Sequence, residues 1–495
     1  MPSNFPILSL LVFLPLLGSL VLLPFRRNHD ALRLITLIFS VAELAVSAWV
    51  LTASSFAQAT GAPAGFFLYE DLPWIERFGI RYTLGMDGIS LLMVLLTSFI
   101  TVIAVLVSWN GIKERLPLYY SLLLAMETGI QGVFLGLDLF LFYLFWEVML
   151  IPMFFLIGIW GHGRRIYSAV KFFLYTFFGS LLMLVAIISL YLRHGAQAGH
   201  YSFSLFELIH TSIPYEISVW LFAAFLFAFA IKFPVFPLHT WLPDAHTDAP
   251  TAGSVILASL MLKTGAYGLI RFGFPLFPEA ARACTPLIYT VSVIGIAYGA
   301  WIAFAQLDMK RLVAYSSVSH MGFVALGIAA WSPVALSGAV LQMVNHGVTT
   351  GALFALVGML DERTDSREIA TYGGIWGKVP ALSFFFLLFC MASAGVPGLN
   401  NFVGEFLVLV GTFRVSPMAA AGAFLGVVLT LIYTVRLVQE ILFGKEKKPL
   451  TLRDLSAREG GVLAALAIAA VYLGVHPGPV LELVRVPIAL LVGGM

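Results

Sequence analysis

Charge is what this chain lacks most. Asp, Glu, Lys and Arg supply 11% of its 495 residues, against about 25% in a soluble domain. A water-exposed globular surface cannot be built from so little. A formal net charge of +2 is too small to draw a phosphate backbone, and no basic cluster has aromatics interleaved to stack bases, which argues against nucleic acid as a partner. Cysteine is nearly missing. Cys284 and Cys390 lie in or beside apolar runs, too few and too isolated for a disulfide framework or a thiolate metal site, and read as inert buried thiols. No glycine-rich phosphate loop, dinucleotide fingerprint or nucleophile motif is present. Long polar segments are missing too. The longest, 55–83 and 193–215, read as loops, so a single membrane domain over 1–495 is expected.

What remains is oil. Hydrophobic residues make up 60% of the chain, and a membrane span needs about 20 mainly apolar residues. Fourteen segments qualify: 5–25, 31–54, 84–109, 116–135, 137–158, 167–192, 216–240, 250–272, 284–305, 308–330, 333–360, 380–413, 418–443 and 459–476. The expected fold is an all-α polytopic membrane protein. The first run lacks a basic leader and a small-residue cleavage site, so it reads as a retained span, not a signal peptide.

Lysine and arginine in the connections alternate between a rich and a poor side. The rich set includes Arg26, Arg27, Lys113, Arg164, Arg165, Lys310, Arg311, Arg363, Lys378 and Lys445. The poor set is Arg77, Arg81, Arg193, Arg271, Arg282, Arg414 and Arg485. The rich side should face the cytoplasm, which puts both termini on the outer side.

Two spans are interrupted. The seventh breaks at KFPVFP, where Pro234 and Pro237 stop the helix; the twelfth breaks at SAGVPGLNNFVGE, around Pro397 and Gly398. Unwound backbone at membrane depth survives only inside protein or beside water. Breaks five spans apart suggest two five-helix repeats, spans 4–8 and 9–13. Five is odd, so the second copy would be inverted. The expected organisation is an N-terminal three-helix segment (1–115), a first repeat (116–272), a second repeat (284–443) and a C-terminal loop with the last helix (444–495).

Ionisable residues deep in the spans are Glu127, Glu147, Lys232, Lys263, His320, His346 and Glu405. A charge at the bilayer centre costs about 2.5–3.5 kcal/mol on insertion scales and usually marks an ion or proton path. Carboxylates, amines and imidazoles in one file suit a proton relay: a carboxylate moving near a buried lysine changes its proton affinity, and histidine titrates near neutrality. Glu147 and Lys232 also admit a static ion pair, and Glu405 a helix cap. Asp87 and Asp138, at span ends, read as caps, and Arg436 as a snorkelling side chain. His239, Asp244 and His246 in HTWLPDAH do not have zinc-ligand spacing and read as a polar loop at the cytoplasmic mouth.

The segments LFWEVMLIP, KFPVFPLHTWLPDAHTDAPTAGSVILASLMLKTGAYGLIR, YSSVSHMG, NHGVTTGALFALVGML and PGLNNFVGEF resemble the antiporter-like subunits of respiratory complex I (NADH:quinone oxidoreductase) and the related Mrp-type cation/proton antiporters. The likeness covers roughly 80–445. It implies an input pair, Glu147 and Lys232, a central water-filled relay, Lys263 with His320 and His346, and an exit at Glu405. It also implies a proton channel in a bacterial inner membrane, driven by redox chemistry elsewhere. Flavin, iron–sulfur clusters and quinone would belong to partner subunits, with no cofactor or metal in this chain; lipids and L-like and N-like antiporter-like subunits would be its neighbours. Glutamate rather than lysine in the twelfth span sets it apart from the L and N members. So does a chain end about 20 residues after the last span, too short for a long lateral helix. An Mrp-type antiporter subunit and the equivalent subunit of a membrane-bound hydrogenase are the alternatives.

Overall fold

The computed structural model describes residues 5–53, 62–446 and 449–493. Among them, thirteen helices are long and apolar enough to cross a membrane: Ile7–Phe25, His29–Thr52, Gly88–Val107, Leu116–Leu135, Leu139–Trp160, Arg165–Ala198, Tyr215–Lys232, Thr251–Leu276, Pro278–Ala305, Met309–Ala329, Pro333–Thr364, Pro417–Phe443 and Ala457–Val475. The twelfth predicted span supplies the fourteenth element as two half-helices, Pro380–Ser393 and Asn400–Phe413. The most apolar windows of the eighth and eleventh spans are wholly buried inside the protein. Those spans, with the tenth, form the centre, and more lipid-accessible helices surround them. This is why ionisable residues on them need not meet lipid.

Both breaks fall where proline and glycine demand them. The seventh span ends at Lys232. The chain turns through 233–240 and re-forms as a second, buried half-helix, Trp241–Asp248, so HTWLPDAH is not the polar loop expected from its prolines. Its Trp241 indole donates to the Ile231 carbonyl at 2.9 Å, taking up an acceptor left free by the broken helix. In the twelfth span, Gly395 (φ 73°) and Gly398 (φ 92°) carry the left-handed backbone that other residues resist. Asn345 and Asn400 then exchange side-chain to backbone bonds of 2.7 and 3.0 Å, pinning the second half to the eleventh span.

The segment before the third span, expected as a loop, contains a hairpin. Leu68–Ile75 and Ile80–Met86 pair as an antiparallel hairpin, so the third span begins at Gly88 rather than 84. Gly79 (φ 64°) makes the turn. The hairpin's Glu70 accepts from the Leu8 and Ser9 amides at 2.6 and 3.1 Å, and a carboxylate at a helix N-terminus is favourable there. Residues after the fourteenth span form a further helix, Gly478–Gly493, with Val480, Val484 and Ile488 buried. That stripe at i, i+4 and i+8 packs against the third and eleventh spans. Asp87 and Asp138 cap the third and fifth spans as expected. Asp87 additionally pairs with Arg271, which is half-buried near the end of the eighth span instead of lying in a connection.

Candidate functional site

The eighth span is locally underwound into two π turns, Leu257–Met261 and Leu269–Gly273. Such turns are uncommon and often mark functional sites. Lys263 follows the first of them, and its Nζ donates to the Ala258 carbonyl at 2.5 Å. The same Nζ lies 2.6 Å from His346 Nδ1 on the eleventh span. The His346 ring is 5.7 Å from that of His320 on the tenth span. His320 Nδ1 is 2.7 Å from Glu405 Oε1 on the second half of the twelfth, and its Nε2 is 3.2 Å from Ser393 Oγ at the end of the first half. Gln342 donates to the same Glu405 oxygen at 3.1 Å. All four ionisable residues are buried.

Backbone closeness sets this register. A methyl at Gly338 would sit 2.7 Å from the Val408 nitrogen, so glycine there lets the eleventh span approach the half-helix carrying Glu405. Lys263 with His346 and His320 with Glu405 thus form a file of two hydrogen-bonded acid–base pairs drawn from four elements, set ring to ring at 5.7 Å with no hydrogen bond between the two imidazoles among the described residues.

Glu147 and Lys232 do not join that file by direct contact, and they do not touch each other: among the described residues no ion pair or hydrogen bond connects them. Lys232 Nζ instead lies 5.4 Å from the centroid of the Trp146 ring and 5.7 Å from that of Phe172, in cation–π range. Among the described residues its ammonium has no hydrogen-bond acceptor, and Glu147 Oε1 no donor. Ser180 and Tyr143 are the polar side chains facing the carboxylate. The fifth helix is interrupted at Met149, two residues after Glu147.

Glu127 also stands apart. Among the described residues neither of its carboxylate oxygens has a hydrogen-bond partner. It faces Glu43, buried in the middle of the second span. Glu43 accepts from Gln131 Nε2 at 3.3 Å, and Gln131 also reaches Ser98 at 3.1 Å. Glu43 escaped the sequence reading although a lone carboxylate amid LIFSVAELAVSAW was visible there.

His246, expected in a polar loop, is buried instead. It lies flat against Phe354, ring centroids 4.5 Å apart, with neither nitrogen hydrogen-bonded. Lys263, His346 and Lys310 are the charged or titratable groups around it. Lys310, expected in a connection, is buried in the first turn of the tenth span. Asp248, Asp308, Asp361 and Arg367 surround it. Several of these line a cavity of about 530 Å³ together with His162 and Asp365. Asp244 is committed elsewhere, to Lys171 at 2.6 Å and Arg311 at 3.3 Å. Arg436 bonds Glu440 and the Phe304 carbonyl, a structural tie.

Broken helices around a buried file of acid–base groups define a class: polytopic membrane proteins of the ion-translocating, antiporter-like kind. The chain belongs to the NADH:quinone oxidoreductase/Mrp antiporter transmembrane family, whose model matches residues 136–432. Within it, relatives that match almost end to end are of the subunit M type. NADH-quinone oxidoreductase subunit M of Pseudomonas aeruginosa is 45% identical over 96% of each chain. That of Escherichia coli K12 is 45% identical over 89% of this chain and 88% of its own. Among solved structures, a chain of respiratory complex I from Thermus thermophilus superposes with a TM-score of 0.87 at 32% identity, covering 98% and 99% of the two chains. A chain of the Mrp complex from Dietzia sp. gives a TM-score of 0.86 at 21% identity, covering 99% and 98%, a likeness of fold alone.

Proposed function

We propose that this chain is a proton-translocating membrane-arm subunit of an NADH:quinone oxidoreductase, with no redox chemistry of its own. The carrying observation is the file from Lys263 through His346 and His320 to Glu405. Protons enter from the cavity beside Lys310, pass His246 to reach Lys263, and leave at Glu405. Lys232 and Glu147 form the switch. In oil, an ammonium without a carboxylate partner is costly, so any movement that brings Glu147 to Lys232 raises the lysine's hold on its proton, and separation releases it. Glu127 with Glu43 is a second acidic pair, set apart from the file and available as a side store for a proton.

Flavin, iron–sulfur clusters and quinone belong to partner subunits in this reading, and L-like and N-like subunits and lipids are the neighbours in the membrane. The arginine- and lysine-rich side faces the cytoplasm of a bacterium and both termini lie outside. Spans 4–8 and 9–13 act as inverted halves, each contributing one broken helix. The test is purification in mild detergent, followed by NADH-driven acidification in vesicles. Co-purification of flavin and iron–sulfur subunits supports the reading. Co-purification of small antiporter subunits alone, without NADH oxidation, replaces it with an Mrp-type antiporter.

A further inference from the structure

At the outer end of the sixth span, away from the file, two imidazoles and a carboxylate converge. His194 lies on the last turns of Arg165–Ala198, His200 just beyond it, and Glu207 on the short helix Leu205–Leu208. His200 Nε2 is 2.8 Å from Glu207 Oε2, and His194 Nε2 is 3.5 Å from the same oxygen. One ligand atom from each residue falls within 4.8 Å of the others. The two rings meet edge to face, centroids 5.3 Å apart.

The opposite nitrogens are already occupied. His194 Nδ1 is 3.0 Å from Thr211 Oγ1, and His200 Nδ1 is 3.3 Å from the Ala198 carbonyl. Each outer oxygen fixes its ring and leaves Nε2 pointing inward, the arrangement by which metal-binding histidines are oriented. His194 is 7% exposed, yet among the described residues its Nε2 has no hydrogen-bond partner. A buried imidazole nitrogen held at a carboxylate without a hydrogen bond is a ligand position.

The frame is built rather than loose. Gly199 (φ 77°) reverses the chain and brings His200 back over His194. Tyr201 stacks on Tyr191 at 4.9 Å, and Phe203 on the same ring at 4.1 Å. Gln197 and Ser212 exchange bonds of 2.6 and 3.0 Å. The Phe203 carbonyl accepts from Leu139 at 2.9 Å, and the Leu205 amide donates to Leu137 at 3.1 Å.

We propose that His194, His200 and Glu207 bind one divalent transition-metal ion of the zinc class. Two nitrogens and one oxygen suit zinc, whereas calcium and magnesium take oxygen ligands. Three protein ligands leave a fourth position, and the exposed His200 opens it to water. Tetrahedral bonds of about 2.0–2.2 Å place ligand atoms roughly 3.3–3.6 Å apart, so His200 must withdraw slightly from Glu207, which an exposed side chain can do. The ion would clamp the end of the sixth span to the segment paired with residues 137–139. That segment starts the helix bearing Glu147, so metal loading would stiffen the base on which the switch stands.

The test is zinc titration of the whole detergent-purified assembly after chelator stripping, with Zn²⁺ alone against a chromophoric competitor. Wild type should take up one more tight equivalent per chain than His200→Ala or Glu207→Gln. Thr211→Val should lose about 10–100-fold in affinity, as removal of a ligand-orienting partner does. Hydrogen exchange of residues 199–207 should slow with zinc in wild type and not in His200→Ala. His200 is exposed, so His200→Ala should fold. Equal zinc uptake by wild type and His200→Ala, or no zinc-dependent protection, overturns the site; neither result bears on the proton file.

Discussion

Lys263 and His346, 83 residues apart in sequence, meet at 2.6 Å between Nζ and Nδ1. The contact joins the one fully buried amine of the eighth span to the imidazole of the eleventh. In the proposed relay a proton would cross this contact directly, and the Lys263 ammonium is held in oil by both His346 and the Ala258 carbonyl.

Lys263→Ala should therefore stop transport while the assembly still forms. Removing a positioned acid–base group costs about 10²–10⁴-fold in rate. Proton uptake through this chain, read as NADH-driven dye quenching in vesicles, should fall by at least about 100-fold. Unchanged quenching rejects the file.

At the exit, Glu405→Gln tests charge against shape. The amide oxygen still accepts from Gln342 and His320, so the half-helix should stay docked and thermal stability should shift little. Transport should be lost, because an amide carries no proton. A Gln variant that pumps normally would reduce Glu405 to a structural acceptor.

Lys232→Leu separates stability from function. A buried ammonium without an acceptor lies against Trp146 and Phe172, and replacing buried charge by well-packed apolar groups is often stabilising by about 1–4 kcal/mol. The variant should melt higher and translocate nothing. A lower melting temperature would mean that the two cation–π contacts outweigh the desolvation cost.

Glu43→Gln and Glu127→Gln should each leave some transport, a loss of severalfold that is smaller than for Lys263→Ala. Each should also stabilise, since one carboxylate no longer faces another. If Glu127→Gln is as dead as Lys263→Ala, Glu127 is in the path and not beside it.

The hairpin gives a pH prediction outside the membrane. Burial alone would raise the Asp71 pKa, but two hydrogen bonds from Arg81, at 2.8 and 2.7 Å, and one from Thr83, at 2.8 Å, hold it below the ordinary aspartate value. A depressed carboxylate stabilises the fold above its unfolded pKa of about 3.9, and that contribution fades as pH falls through the lower folded value. Arg81→Ala should cost up to about 1 kcal/mol at neutral pH, since the pair is partly exposed. The gap between the two melting temperatures should narrow toward about pH 3, below the ordinary aspartate pKa. A gap constant across that range contradicts the ion pair.

How much was visible in advance divides by distance along the chain. Twenty apolar residues, a proline pair at 234 and 237, or a glycine before Leu399 act locally, so the spans and both breaks were legible, and so were the caps Asp87 and Asp138. The depth of Lys232, Lys263, His320, His346 and Glu405 followed from their positions within apolar runs. Which of these groups meet was not legible. Helix rotation and crossing are set by packing between elements far apart in sequence, such as Gly338 against Val408. Only the fold could therefore decide that Lys263 faces His346, that Glu127 faces Glu43, that Lys232 rests on aromatic rings rather than on Glu147, and that Lys310 is buried. The hairpin and the final helix were missed for the same reason: short amphipathic segments become ordered only when a neighbour covers their apolar side, and the sequence alone does not name the neighbour.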